Sequence, residues 1–109
     1  MYHISEIINK LVPGLVDIFN ESAIKIILYG SVARKTQTEE SDVDIAVILS
    51  SYTEEMHDKM LDMVVDLELE YDVVLSVLLI DSEMFAEWED VMPFYKNIKK
   101  DGVVLWPAA

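Results

Sequence analysis

The chain has no cysteine, which excludes disulfides, thiolate catalysis and cysteine-ligated zinc together. Glycine and proline are scarce, three of each, and no linker, repeat or low-complexity segment is visible. Positive charge is scarce too: 8 Lys and Arg stand against 21 Asp and Glu, a formal charge of -13. That balance opposes a surface that grips duplex DNA or RNA through its phosphates. A nucleotide would need a local site with its own cations. No apolar run approaches the length of a membrane span. The opening Met1-Tyr2-His3-Ile4-Ser5-Glu6 lacks the basic region and apolar core of a signal peptide. The expectation is a cytoplasmic protein with no membrane partner. What is present is apolar content, 52 % of 109 residues, ample for a single domain over 1–109 with one core.

From Ile4 to Phe19 the apolar residues Ile4, Ile7, Ile8, Leu11, Val12, Leu15, Val16 and Phe19 recur at spacings of three and four, the pattern of an amphipathic helix. Pro13-Gly14 predicts a kink there, or two short helices. Ala23 to Tyr29 (AIKIILY) is short, β-branched and almost wholly apolar, which suits a central strand covered on both faces. Gly30 ends it, Ser31 to Lys35 read as a short helix, and Thr36 to Glu40 as a polar loop. Val43 to Leu49 is a second buried strand. Thr53 opens a long helix to about Tyr71, with Glu54 and Glu55 at its positive end; its stripe Met56, Met60, Met63, Leu67 and Tyr71 reads as core packing. Val73 to Ile80 is a third strand, Asp81-Ser82-Glu83 a helix cap, Met92 to Lys100 a helix, and Val103 to Trp106 a last strand stopped by Pro107. The fold class is therefore α/β (α+β), a mixed sheet of about four strands with helices packed on it.

Chemistry concentrates where the first two strands end and begin. Gly30 sits where a strand must turn sharply, and its missing side chain lets a phosphate approach the backbone. Ser31 adds a hydroxyl and an amide, and Arg34, one helical turn on, carries a fork of donors suited to phosphate oxygens. Lys35 beside it adds to the same field or is a solvated surface lysine. Asp42 and Asp44 are two apart at the head of a strand, so they share a face while Val43 points into the core. Two carboxylates so placed repel unless a cation lies between them, and hard oxygen donors favour magnesium or manganese. Alone, Gly-Ser is a common turn, and Asp-x-Asp is a common coincidence in an acidic chain. Their joint order, strand, Gly-Ser, Ala-Arg, polar loop, Ser-Asp-x-Asp, strand, is what carries the reading.

Across residues 30–47, GSVARKTQTEESDVDIAV, the chain resembles the minimal nucleotidyltransferases of the DNA polymerase beta superfamily, whose pattern runs Gly-Ser, Ala-Arg-Gly, then Ser-Asp-x-Asp. The chain length, the opening helix and the strand order fit that domain as well. The resemblance implies a polymerase-beta-like nucleotidyltransferase fold, with a nucleoside triphosphate, ATP, held at Gly30, Ser31, Arg34 and Ser41. It implies Mg2+ or Mn2+ bound by Asp42 and Asp44, which are also the catalytic pair. Many such proteins are encoded with a HEPN-domain ribonuclease as toxin and antitoxin, and the family includes antitoxins that transfer AMP from ATP to a tyrosine of that toxin. The implied function is a magnesium-dependent adenylyltransferase acting on a HEPN-type toxin.

Two positions depart from the pattern. Lys35 stands in place of the usual glycine. A third carboxylate is expected on the strand after the long helix, where this chain reads Tyr71-Asp72-Val73-Val74-Leu75-Ser76-Val77, without an acid in its middle. Asp72 has the strand parity to be that third metal ligand, and equally the character of a helix-to-strand turn residue. The alternative function is accordingly a catalytically weak or inactive binding module that neutralises its partner by occlusion, its acidic surface mimicking RNA. Nucleotide transfer to a cationic small molecule ranks behind both, for want of an acceptor domain. His3 and His57 are isolated from further ligands, and Ser31 has no histidine base nearby to make it a nucleophile. Lys96, Lys99 and Lys100, interleaved with Phe94 and Tyr95, read as dipole and solubility features or as a contact for a nucleotide or partner. Trp88 and Trp106 cover core or mark an interface, and the oligomeric state, a homo-oligomer included, stays open.

Overall fold

The computed structural model describes residues 4–33 and 42–107, with Ser31 and Val32 described in backbone alone. Its elements are α1 (Ile4–Phe19), a 3-10 turn (Asn20–Ser22), β1 (Ala23–Tyr29), α2 (Gly30–Ala33), β2 (Val43–Leu49), α3 (Glu54–Tyr71), β3 (Leu75–Asp81), α4 (Ser82–Trp88), α5 (Pro93–Asp101) and β4 (Val103–Trp106). The strands form one mixed sheet in the order β3-β2-β1-β4, with β2 and β3 parallel and the other neighbours antiparallel.

Side-chain alternation along β2 divides the core in two. Val43, Ile45, Val47 and Leu49 point to one face, where α1 and α3 cover them through Ile7, Leu11, Leu15, Phe19, Met60, Val64 and Leu67. Ala46 and Ile48 point to the other, under Phe85 of α4 and Ile98 of α5. Asp44 belongs by parity to this second face, one step past the last residue that α4 and α5 cover, and is only half-buried. Fully burying each Val, Leu or Ile contributes roughly 1.5–3 kcal/mol, so the two apolar sets pin the register of β2. A one-residue slip would carry Asp44 into the α1–α3 core and move Val43, Ile45, Val47 and Leu49 to the face of α4 and α5.

Helix α1 continues through Pro13-Gly14 instead of splitting into two. Gly14 has a packing role there: a Cβ added to it would strike the Met63 sulfur of α3, so its bareness lets the two helices close together. Thr53 caps α3, its Oγ1 accepting from the Met56 N–H at 3.2 Å. The helix ends at Asp72, in the left-handed region at φ 51°, whose N–H donates to the Glu68 carbonyl. The Glu68 carboxylate then accepts from the Leu75 N–H at 3.0 Å. The turn these bonds shape carries the chain to Leu75, where β3 begins, later than the expected Val73. Asp81 caps α4, accepting from the Met84 N–H at 3.0 Å. Trp106 packs against the larger core cluster while Trp88 stays exposed. Among the described residues no helix is long and apolar enough to cross a membrane.

Candidate active site

Strand register assembles the site. β1 runs antiparallel to β2 with Tyr29 opposite Asp44, so the turn that follows Tyr29 falls at the head of β2. Gly30 makes that turn at φ +76°, a backbone conformation costly for any residue with a Cβ. The space a Cβ would fill is occupied by the Asp44 carboxylate, which lies against the Gly30 Cα. Gly30 is thus required twice, once by its backbone and once by its neighbour. On the other side β3 runs parallel to β2 with Ser76 level with Asp44, and the Val43 N–H donates to the Val74 carbonyl at 3.0 Å.

Asp42 is exposed, Val43 fully buried and Asp44 half-buried, so the pair of carboxylates flanks a residue anchored in the core. Tyr29 sits beside Asp44. Burial pushes its hydroxyl pKa up, and the Asp44 charge across the strand pair adds to that rise.

Asp72 is exposed and lies ahead of β3 at the C-cap of α3, where its backbone N–H donates to the Glu68 carbonyl. Among the described residues no group of three or more His, Cys, Asp or Glu side chains is gathered closely enough to hold a metal ion. The expected trio Asp42, Asp44 and Asp72 is therefore not assembled. The physical reason is that the turn out of α3 needs a left-handed residue, and aspartate tolerates that conformation better than most. The position on β3 that shares a level with Asp44 holds Ser76. Two carboxylates still suit a magnesium-class ion, which keeps several waters and takes substrate phosphate oxygens as further ligands.

Arg34, Lys35, Ser41, the 36–40 loop and His3 lie outside the described residues. Lys99 is committed elsewhere, paired with Asp90 at 2.9 Å and Glu89 at 3.1 Å, and the hydrogen bonds to Asp90 and Glu89 hold its ammonium above the usual lysine range. His57 lies beside the Tyr52 ring.

Sequence reasoning did not find what borders Gly30 on its far side. A cavity of about 210 Å³ opens there, lined by Tyr29, Gly30, Phe94, Asn97 and Ile98. The Phe94 ring meets Tyr29 edge-on at 5.8 Å and Tyr95 at 5.5 Å. The available signal was the spacing of Phe94, Asn97 and Ile98 along one helical face, but only the packing of α5 onto β1 brings that face to Gly30.

A mixed sheet that carries Gly-Ser at the end of one strand, packed against Asp-x-Asp on the next, defines a nucleotidyltransferase domain. The pattern of the family described as "Polymerase beta, Nucleotidyltransferase" matches residues 15–107, and the chain belongs to that family. It is 32 % identical over 102 residues to "Putative protein adenylyltransferase MJ0604" of Methanocaldococcus jannaschii, covering 91 % of this chain and 94 % of that protein. Two solved structures share the fold. One is a toxin-antitoxin structure with AMP-PNP, at TM-score 0.59 and 22 % identity, covering 93 % of this chain and 73 % of that one. The other is a tri-AMPylated Shewanella oneidensis HEPN toxin in complex with MNT antitoxin, at TM-score 0.55 and 20 % identity, covering 95 % and 72 %.

Proposed function

We propose that this nucleotidyltransferase uses ATP and a divalent metal, Mg2+ or Mn2+, to adenylylate a hydroxyl of a HEPN-type toxin in the cytoplasm, and so acts as its antitoxin. One observation carries the reading: the Asp44 carboxylate rests against the bare Gly30 Cα, so a phosphate held at the turn lies within reach of the acidic pair. The relative named a protein adenylyltransferase and the fold neighbours, one with AMP-PNP and one with an AMPylated HEPN toxin, support the nucleotide and the acceptor.

The roles follow from the chemistry of phosphoryl transfer, in which positioning and charge neutralisation do nearly all the work. Gly30 and Ser31 hold the phosphates through backbone amides, Arg34 spreads positive charge over their oxygens and Ser41 adds a hydroxyl. Asp42 and Asp44 would hold the metal, which would supply positive charge to offset that developing at the α-phosphate. The acceptor hydroxyl oxygen forms a bond to the α-phosphorus as the bond to the β-phosphate bridging oxygen breaks. Pyrophosphate leaves, and the hydroxyl proton passes to water.

A second reading, neutralisation by occlusion alone, is favoured by the absence of a three-acid cluster among the described residues. A growth-rescue assay with the double variant Asp42→Ala, Asp44→Ala separates the two. Loss of rescue, with complex formation intact, supports transfer; full rescue by the double variant supports occlusion and overturns the transfer reading.

A further inference from the structure

Where α4 meets α5, the surface is apolar and aromatic. Helix α4 turns Phe85 into the core, which leaves Met84 and Trp88, four apart, on one exposed ridge. The Val91 and Met92 N–H groups both donate to the Trp88 carbonyl, at 3.0 and 2.9 Å, so the chain doubles back and brings these two exposed residues beside the ridge. From α5 the Tyr95 hydroxyl donates to the Met84 sulfur at 3.6 Å, and the Tyr95 ring meets Phe85 at 5.9 Å and Phe94 at 5.5 Å. Met84, Trp88, Val91, Met92 and Phe94 thus form one exposed apolar face, with the ring contacts of Tyr95 and Phe85 fixing α5 against α4. Protein interfaces concentrate aromatic residues and methionine, and tryptophan is among their commonest hot spots.

Charge and place select the occupant. Glu83 and Glu87, four apart on α4, flank the ridge, and no ion pair among the described residues engages either of them. A second copy would set these carboxylates against their own kind, in chains of net charge -13. An apolar surface rimmed by lysine or arginine would pair with them instead. A ribonuclease carries cationic side chains of this kind, because it must hold the phosphates of RNA. At its other end the face reaches Phe94, which lines the cavity against Gly30, so a protein seated there lies at the rim of the candidate active site. By contrast, the exposed stripe of Leu61, Val65 and Leu69 on α3 has no aromatic residue and no share in that cavity.

We infer that the α4–α5 face is where the acceptor protein docks, with Trp88 entering an apolar recess of that partner and Glu83 and Glu87 pairing with the cations around it. The inference rests on the reading of this chain as acting on a HEPN-type toxin, and deepens it by naming the surface that holds the toxin. It holds for transfer and for occlusion alike.

Surface plasmon resonance on an immobilised HEPN-type toxin encoded with this protein tests it, since it reads affinity and association rate together. Trp88→Ala should weaken the complex by roughly 30-fold or more, the loss that marks a hot spot, and Val91→Asp, at an exposed turn position, should weaken it as well. Reversing both charges, Glu83→Lys with Glu87→Lys, should slow association at low salt by roughly 10-fold or more. Leu69→Ala, on the exposed stripe of α3, should match wild type, and unfolding midpoints near that of wild type show that each variant is folded. Unchanged affinity in both Trp88→Ala and Val91→Asp, or an equal loss in Leu69→Ala, overturns the docking surface while leaving the toxin as partner. Sedimentation of the protein alone should show a monomer; a dimer that Val91→Asp dissociates gives the face to a second copy and overturns the inference. A wild-type protein that binds no toxin overturns the proposed function with it.

Discussion

Replacing Gly30 by alanine tests whether the turn and the carboxylate are one unit. The substitution does two separable things. It forces an L-residue to φ +76°, costing about 1–2 kcal/mol, and it drives a Cβ into the Asp44 carboxylate, which must leave its rotamer at about 0.5–1.5 kcal/mol. The sum, about 1.5–3.5 kcal/mol, should lower the unfolding midpoint by on the order of 10 °C in a domain of this size. Urea unfolding of wild type, Gly30→Ala, Asp44→Ala and the double variant separates the parts. In the Asp44→Ala background the displaced carboxylate is gone, so Gly30→Ala should cost about 1 kcal/mol less there than in wild type. Additivity of the two substitutions to within about 0.3–0.5 kcal/mol would refute the contact.

Other consequences follow from the same geometry. Glu68→Ala removes the acceptor of the Leu75 N–H and should destabilise by about 1–2 kcal/mol, with Glu68→Gln nearer to wild type, as read from urea midpoints. Gly14→Leu should destabilise by about 1–3 kcal/mol by wedging α1 from Met63. Gly14→Ala should lie within about 1 kcal/mol of wild type, because its gain in helix propensity offsets displacement of a flexible methionine. Asp44→Asn should bring the Tyr29 pKa only part of the way back towards its ordinary value, since burial is the larger cause of its rise; ultraviolet titration against Tyr29→Phe isolates that one hydroxyl. Because the folded pKa is raised, the stability Tyr29 contributes is fully present below the ordinary tyrosine value of about 10 and is lost as pH climbs through the folded one. Unfolding midpoints at rising alkaline pH should fall less steeply in Tyr29→Phe.

Where local pattern dominates, the sequence anticipated the structure closely. β1, β2 and β4 have the expected bounds because each is a short apolar run between strong breakers, and Thr53 and Asp81 cap their helices through the side chains that suggested them. The start of β3 escaped because the Glu68 carboxylate binds the Leu75 N–H and the Asp72 backbone takes a left-handed cap, neither of which is written in the apolar pattern. Asp72 precedes the strand, and the residue of β3 level with Asp44 is Ser76. Pro13 suggested a break, but the reason α1 stays whole lies in its packing against α3, where Gly14 faces Met63. That the Gly30 turn and the two aspartates come together on neighbouring strands was legible in the sequence, while the antiparallel register that sets Tyr29 opposite Asp44 was not. Tyr29, Phe94 and Asn97 were not legible as a group, since 64 positions of chain separate the first two and only the docking of α5 unites them.

The central claim is transfer of the α-phosphoryl group, with its nucleoside, from a site built on Asp44. Its most direct measurement is incubation with Mg2+, a HEPN-type toxin and ATP labelled at either the α- or the γ-phosphate, followed by detection of label on the toxin. The account predicts covalent α-label on the toxin with wild type, none from γ-labelled ATP, and none from either with Asp44→Asn. Label from the γ-position, or α-label undiminished by Asp44→Asn, would contradict it, as would a toxin neutralised with no label attached.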